Sequence, residues 1–187
     1  MWKIAISNFI LWGFIMSILF TTERLTIRKF TPGDFNDLAD ILTDTTVTYF
    51  EPYETFTREA CIQEAVNYSN SKEFFAVVLG DKVIGKIYLS EKKYGSYEIG
   101  YTFNAQYQGM GYAYESVKGM MKHAFNDMQI RRIFAEINTR NTKSISLAER
   151  LGMRKEAEHI EVSPRKENDS IFDDFYVYAL LKKEFEI

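Results

Sequence analysis

Gln108-Gly109-Met110-Gly111-Tyr112-Ala113 is the most informative segment of this chain. It follows a strand-like run over residues 97–103 and precedes a helix-like run over residues 114–126. Its glycines allow backbone conformations closed to other residues, and the free N–H groups of a helix N-terminus favour an anion. The pattern therefore predicts a phosphate cradle. A glycine-softened turn is the alternative, because the segment lacks the third glycine of G-x-G-x-x-G and the lysine–hydroxyl pair of the nucleotidase P-loop.

The residues that follow the helix narrow this choice. A strand-like run over residues 132–137 leads to a polar segment at 138–144 and then to an amphipathic stretch that ends at Gly152. In this order the chain resembles the GNAT superfamily of acyl-CoA-dependent N-acetyltransferases, whose Q/R-x-x-G-x-G/A loop wraps the pyrophosphate of coenzyme A. The matching loop residues are Gln108, Gly111 and Ala113.

Three further elements are most similar to the RimJ/RimL-like branch of that superfamily, which acetylates ribosomal-protein N-termini. They are the opening segment 22–28, Asn141-x-x-Ser144, and Glu149-Arg150-Leu151-Gly152-Met153. The resemblance covers about residues 21–182. It implies a single GNAT-like domain that uses acetyl-CoA as cosubstrate and transfers the acetyl group directly, in a ternary complex.

The resemblance also implies the cofactor-binding residues. The backbone of Tyr101, Thr102 and Phe103 would pair with the pantetheine arm and supply an oxyanion donor, and Asn141 would lie near the departing thiolate. The loop would hold the pyrophosphate through Gln108, Gly109, Met110, Gly111, Tyr112 and Ala113.

Acetyl transfer to an amine needs a base, an oxyanion donor and an acid for the leaving thiolate. Glu98 is the candidate base, with an outward-facing strand carboxylate as the alternative, since a shift of one residue in register reverses its face. Ser144 is the candidate acid, and helix capping by Asn141 and Ser144 is the alternative. Ala148 stands where many GNAT enzymes carry a tyrosine acid. Solvent protonation of the thiolate stays open.

Composition agrees with one globular enzyme domain. The chain has 187 residues, 46% of them hydrophobic and 16% aromatic, with a net charge of −3. Neither nucleic acid nor an anionic membrane surface is an expected partner of such a chain. The single cysteine, Cys61, is expected to pack in the core, and no Cys/His cluster has metal-site spacing, so we predict a cytoplasmic protein without a metal.

An apolar run without charge spans residues 4–20 and is not typical of a cytoplasmic globular domain. Three interpretations compete: an upstream extension from an alternative start, with Met16 as the family-like start; a membrane anchor; and a helix packed against the fold or a partner chain. We divide the chain into an N-terminal extension, residues 1–20, and an acetyltransferase domain, residues 21–187.

Patterning predicts an α/β domain with a mixed central sheet of six to seven strands and helices on both faces. Strands are expected over residues 24–29, 74–79, 83–89, 97–103, 132–137, 154–162 and 171–181, and helices over residues 31–42, 57–69, 114–126 and from about residue 142. The polar segment 163–170 is expected to be a loop.

The acceptor is expected to be a primary amine, with a protein N-terminal amine as the leading class. Residues 49–54, Tyr-Phe-Glu-Pro-Tyr-Glu, are a candidate acceptor wall, and a surface loop is the alternative. His123 and His159 are expected to be structural. A small-molecule amine acetyltransferase and a CoA-binding module without catalysis stay open as functions, as does a homodimer as the assembly.

Overall fold

A computed structural model describes residues 10–11, 14–15 and 17–185, with side chains for residues 17–185. Eight strands form one sheet in the order β3-β4-β5-β6-β7-β8-β10-β9. These strands are β3 (Ile18–Thr21), β4 (Thr26–Lys29), β5 (Phe74–Leu79), β6 (Lys82–Glu91), β7 (Ser96–Phe103), β8 (Arg132–Asn138), β9 (Arg154–Arg165) and β10 (Asn168–Leu181). The short strands β1 (Ile10–Leu11) and β2 (Phe14–Ile15) pair with each other in a separate sheet.

Helices cover both faces of the large sheet, as the sequence predicts. They are α1 (Phe35–Leu42), α2 (Thr45–Thr48), α3 (Arg58–Asn70), α4 (Tyr112–Asn126) and α5 (Thr142–Arg150). One core packs α4 and α5 against the sheet, and the other packs α1 and α3, including fully buried Cys61, against the opposite face. Among residues 10–11, 14–15 and 17–185, no helix combines the length and the apolarity needed to cross a membrane.

The sheet has one strand more than the predicted six to seven. The additional strand, β3, lies in the apolar run and pairs antiparallel with β4, so residues 18–20 belong to the sheet although the sequence analysis groups them with the extension. A strand is recognised in a sequence by the alternation of apolar and polar residues. Residues 18–20 are all apolar and show no such alternation, so the sequence does not predict this strand. The rest of the predicted extension, residues 1–16, lies outside the residues whose side chains the structure describes.

The predicted loop at 163–170 is wrong in extent. Strand β9 continues to Arg165 and β10 begins at Asn168, so the two strands form a long hairpin whose outer part is exposed on both faces. Neither face of this part of the hairpin is buried, so its residues can be polar. Its amino-acid composition is therefore like that of a loop. Helix α4 also begins at Tyr112 rather than at residue 114, because Gly111 caps it directly.

All pairs in the large sheet are antiparallel except β7 with β8. Within residues 17–185 their parallel register is confined to Ser96↔Arg132, Tyr97↔Ile133 and Glu98↔Phe134, although β7 continues to Phe103 and β8 to Asn138. The two strands therefore diverge after Glu98. We call the β8-facing side of residues 99–103 the splayed edge.

Candidate active site

The splayed edge leaves backbone groups of β7 without a strand partner among the residues that the structure describes. Ile99 and Phe103 anchor this strand in the core beneath α4, while Thr102 and Gly100 lie on the opposite face with α1 and α3. Exposed strand edges are templates for pairing with an extended ligand. The divergence therefore offers a binding cleft between β7 and β8.

The predicted cradle lies directly beyond the end of β7. Gly109 and Gly111 adopt left-handed backbone conformations, with φ of 77° and 83°, and Gly111 is the N-cap of α4. A Cβ built on Gly111 would meet Arg24 Nη2 at 3.3 Å, so this glycine also allows a close approach. Helix α4 thus presents its first-turn N–H groups and the positive end of its dipole at the cradle, which is chemistry that fits a pyrophosphate.

Gln108 joins the cradle to the cleft. Its Nε2 donates to the carbonyl oxygen of Phe103 at 3.1 Å, and its Oε1 accepts from Lys143 Nζ at 3.0 Å. The side chain therefore bridges the end of β7 and the first turn of α5, across the mouth of the cleft.

An ion pair that sequence reasoning missed braces the cradle from outside. Arg24 Nε donates to Glu115 Oε2 at 2.6 Å, and Arg24 Nη1 donates to the carbonyl oxygen of Met110 at 3.2 Å. Glu115, in the first turn of α4, also accepts from the hydroxyl of Thr22 at 2.6 Å. The available signal was an arginine at the start of the predicted strand 24–29 and a glutamate soon after the cradle, which no local pattern connects.

Glu98 lies on the face of β7 shared by Gly100 and Thr102, at the last residue before the strands diverge. Its side chain is 28% exposed, and its Oε2 lies 3.1 Å from Lys92 Nζ. The carboxylate therefore reaches solvent beside the cleft and is held by one surface lysine.

Asn141 and Ser144 occupy the start of α5, across the cleft from β7. Asn141 Oδ1 accepts from the backbone N–H of Ser144 at 3.2 Å, which is the capping arrangement. The hydroxyl of Tyr101 donates to the carbonyl oxygen of Ser144 at 3.2 Å, so the structure brings Ser144 next to the splayed edge. Burial raises the pKa of Tyr101 to about 12, which keeps its hydroxyl protonated as a donor. Ala148, in the same helix, is fully buried.

The candidate acceptor wall at residues 49–54 packs over the same face as Glu98. Glu51 Oε1 accepts from the Thr102 hydroxyl at 2.6 Å, and Arg140 Nη2 donates to the Tyr49 hydroxyl at 2.7 Å. Lys166, at the tip of the β9–β10 hairpin, donates to the carbonyl oxygen of Tyr53 at 2.5 Å. The wall is thus attached to both β7 and the hairpin.

The two histidines lie outside this cluster. His123 Nδ1 lies 2.7 Å from Asp127 Oδ2 near the C-terminal end of α4, and its ring lies 5.6 Å from that of Phe20. His159 lies in the exposed strand β9, paired with Phe175. The structural role expected of both histidines stays a prediction.

Comparison with known proteins defines the class: the family model described as "Acetyltransferase (GNAT) domain" matches residues 24–154. The chain belongs to the GNAT family of acetyltransferases. It is 33% identical over 172 residues to the uncharacterized N-acetyltransferase YnaD of Bacillus subtilis, covering 88% of this chain and 98% of that protein.

Two solved structures share the fold. A GNAT-family acetyltransferase from Bacillus anthracis superimposes with a TM-score of 0.81 and 30% identity, covering 88% of this chain and 98% of that one. RimL, a ribosomal L7/L12 α-N-protein acetyltransferase, superimposes with a TM-score of 0.79 and covers 94% and 99% of the two chains. Its sequence identity is 15%, so this second likeness concerns the fold alone.

Proposed function

We propose that this acetyltransferase transfers the acetyl group of acetyl-CoA to the N-terminal amine of a protein. One observation carries the proposal: the splayed edge and the cradle lie at the end of the same strand, so one extended acyl-CoA can use both. The resemblance of Asn141-x-x-Ser144 to the RimJ/RimL-like branch supports this acceptor class.

Acetyl-CoA supplies an activated acyl group as a thioester. In our proposal the first-turn N–H groups of α4, with Gly109 and Gly111, hold the pyrophosphate, and the backbone of Tyr101, Thr102 and Phe103 pairs with the pantetheine arm. Binding of the arm would compete with Gln108 for the carbonyl oxygen of Phe103, so we expect this side chain to move when the ligand enters. An N–H of the splayed edge serves as oxyanion donor.

The acceptor nitrogen attacks the thioester carbonyl, the carbon–sulfur bond breaks, and the thiolate leaves. Glu98 accepts the proton of the amine directly or through water. The Ser144 hydroxyl gives a proton to the thiolate and takes one back from solvent. Both residues border the cleft, Glu98 at its β7 side and Ser144 at the start of α5. Because both substrates must be bound together, transfer takes place in a ternary complex.

A protein N-terminus suits a site whose proposed base, Glu98, is a partly exposed carboxylate paired with a surface lysine. An α-amine has an ordinary pKa of about 7.7–8.0, against about 10.4 for a lysine side chain, so a larger fraction is neutral at cellular pH. Less work is then required of the base. Alkyl amines and polyamines demand a base or a negative field that holds and deprotonates a cation.

The direct test is incubation of the protein with acetyl-CoA and a panel of N-terminal peptides, polyamines and aminoglycosides, read by mass. We expect acetylated peptides, with the added mass on the first residue. Acetylation of small amines alone would replace our acceptor class by the small-molecule alternative. Binding of CoA without any product would favour a module that has lost catalysis.

A further inference from the structure

Lys86 is a buried cation that the proposed chemistry does not use. It lies in the middle of β6, paired with Thr102, and its side chain is only 5% exposed. Its ammonium lies 5.0 Å from the ring centre of Tyr53, 5.7 Å from that of Phe74 and 5.9 Å from that of Tyr68. Burial lowers the pKa of Lys86, since the charged form loses its hydration. A buried charge of this kind needs a compensating partner.

Glu51 supplies that partner. Its Oε2 lies 3.5 Å from Lys86 Nζ, and its Oε1 accepts from the hydroxyl of Thr102 at 2.6 Å. Glu64 on α3 attracts Lys86 more weakly and is engaged by Asn67 at the surface. One carboxylate and one ammonium therefore form a nearly neutral pair behind the acceptor wall.

The pair lies beside the cleft rather than in a remote part of the core. Thr102 belongs to the splayed edge, on the face that carries Glu98, and Glu51 retains 21% side-chain exposure. The hydroxyl of Tyr53 is buried in the same cluster and has no hydrogen-bond partner among the described residues. A partly exposed carboxylate with a buried cation behind it is thus available to a ligand that reaches the cleft from this face.

We propose that Glu51 contacts the amine of the acceptor and that Lys86 makes this contact selective against polycationic amines. This inference rests on the proposed function. Lys86 balances the charge of Glu51, and Lys92 balances that of Glu98 on the same face. The site can therefore accept a hydrogen bond from one amine but lacks the surplus negative charge that a second ammonium would require. Peptide N-termini and other singly charged amines therefore fit, and polyamines are rejected.

The central variant is Lys86→Met, which keeps an unbranched side chain of similar length and removes the charge. Glu51 then carries an unbalanced negative charge at the same place. We expect the ratio of kcat/KM for a polyamine to kcat/KM for an N-terminal peptide to rise by about tenfold or more, mainly through a lower KM for the polyamine. Lys82→Met is the matched control, because Lys82 lies in the same strand but pairs with Asp37 and Asp40 at the surface. Its ratio should equal that of the parent.

A second measurement leaves Lys86 in place. The parent enzyme is assayed with two acceptors of equal chain length, one alkyl monoamine and the matching α,ω-diamine. We expect a clear preference for the monoamine, and Glu51→Gln should weaken binding of the monoamine without changing the KM for acetyl-CoA. This comparison decides the question even where Lys86→Met does not fold.

The outcomes separate the two levels of the proposal. An unchanged ratio in folded Lys86→Met, or a parent enzyme that prefers the diamine, would overturn the role of Lys86 while leaving an active acetyltransferase. Unchanged acceptor kinetics in Glu51→Gln would remove Glu51 from the acceptor site. A parent enzyme that acetylates no amine at all would overturn the proposed function, and this inference with it.

Discussion

Arg24 Nε and Glu115 Oε2 lie 2.6 Å apart, so an ion pair joins the turn before β4 to the first turn of α4. The same guanidinium donates to the carbonyl oxygen of Met110 inside the cradle, and it lies 4.5 Å from the ring centre of Tyr112. The guanidinium of Arg24 therefore holds both the Met110 peptide of the cradle and the first turn of α4 in place. Arg24 is a positioning residue for the cradle.

We expect Arg24→Met to weaken CoA binding about tenfold or more, with a small change in melting temperature. Arg24→Lys should recover little of the loss, because a single ammonium cannot replace the fork that reaches both Glu115 and Met110. Calorimetric titration with CoA measures both. Arg132→Met is the control, since Arg132 pairs with Glu156 at the far end of β8. Full CoA affinity in Arg24→Lys would show that the positive charge at position 24 is sufficient and that the guanidinium contacts with Glu115 and Met110 are not required.

Glu115 should also make stability depend on pH. Burial by itself would raise the pKa of Glu115, but hydrogen bonds from Thr22 and Arg24 outweigh it and leave that pKa below its usual value. A lowered carboxyl pKa contributes stability that is present above the unfolded value, about 4.3, and is lost as the pH falls through the folded value.

We therefore expect Glu115→Gln to reduce the free energy of unfolding by about 1–3 kcal/mol near neutral pH, with a smaller difference from the parent in acid. Denaturant unfolding at several pH values measures this. Glu23→Gln, which changes an exposed neighbour, should follow the parent throughout. A difference that stays constant with pH would mean that the carboxylate charge is not the cause.

Replacing Gly111 by valine should abolish acetyl-CoA binding and leave the fold largely intact. Gly111 has φ 83°, and a Cβ there would meet Arg24 Nη2 at 3.3 Å. A valine would therefore strain the backbone at this position, and its side chain would occupy the space of the ligand. Gly80→Val is the control for a valine at positive φ, because Gly80 has φ 59° in the β5–β6 turn and open space around it. Calorimetry should show normal CoA affinity for Gly80→Val. Normal affinity in folded Gly111→Val would remove this loop from the binding site.

Local patterns predicted the elements that carry their own signal. The glycines of the cradle, the alternation of β7 and the apolar stripe of α4 each depend on neighbours within about four residues, and the structure places them as expected. Pairs that join distant segments have no such signal. Arg24 with Glu115 and Lys86 with Glu51 are separated by 91 and 35 residues, and only the packing of helices and loops on the sheet brings them together. The splayed edge begins where β8 stops pairing with β7, and no local sequence pattern predicts that position.

Glu98→Gln should lower the rate near neutral pH about a hundredfold and change its pH dependence, with little effect on acetyl-CoA affinity. The reason is that an amide cannot accept the amine proton, while it occupies nearly the same space. Glu91→Gln is the control, as Glu91 is an exposed carboxylate of the neighbouring strand β6. A rate within about threefold of the parent at every pH would leave Glu98 as an ordinary partner of Lys92, and Glu51 would be the next carboxylate to test.

A chain that starts at Met16 should fold and work like the full chain, because it retains β3. Phe20 in that strand packs against Gly119 of α4, where a built Cβ would lie 2.8 Å from its ring, and it lies near His123. A chain that starts at Thr22 loses this contact and the pairing of β3 with β4. Full burial of a phenylalanine side chain contributes about 1.5–3 kcal/mol, and Phe20 is partly buried, so its contribution lies below that range. We expect thermal melting to separate the two truncations, with the parent temperature for the first and a lower one for the second. If the Met16 chain itself melts many degrees lower, changes from dimer to monomer or leaves a membrane fraction, then residues 1–15 act as a packing element or an anchor.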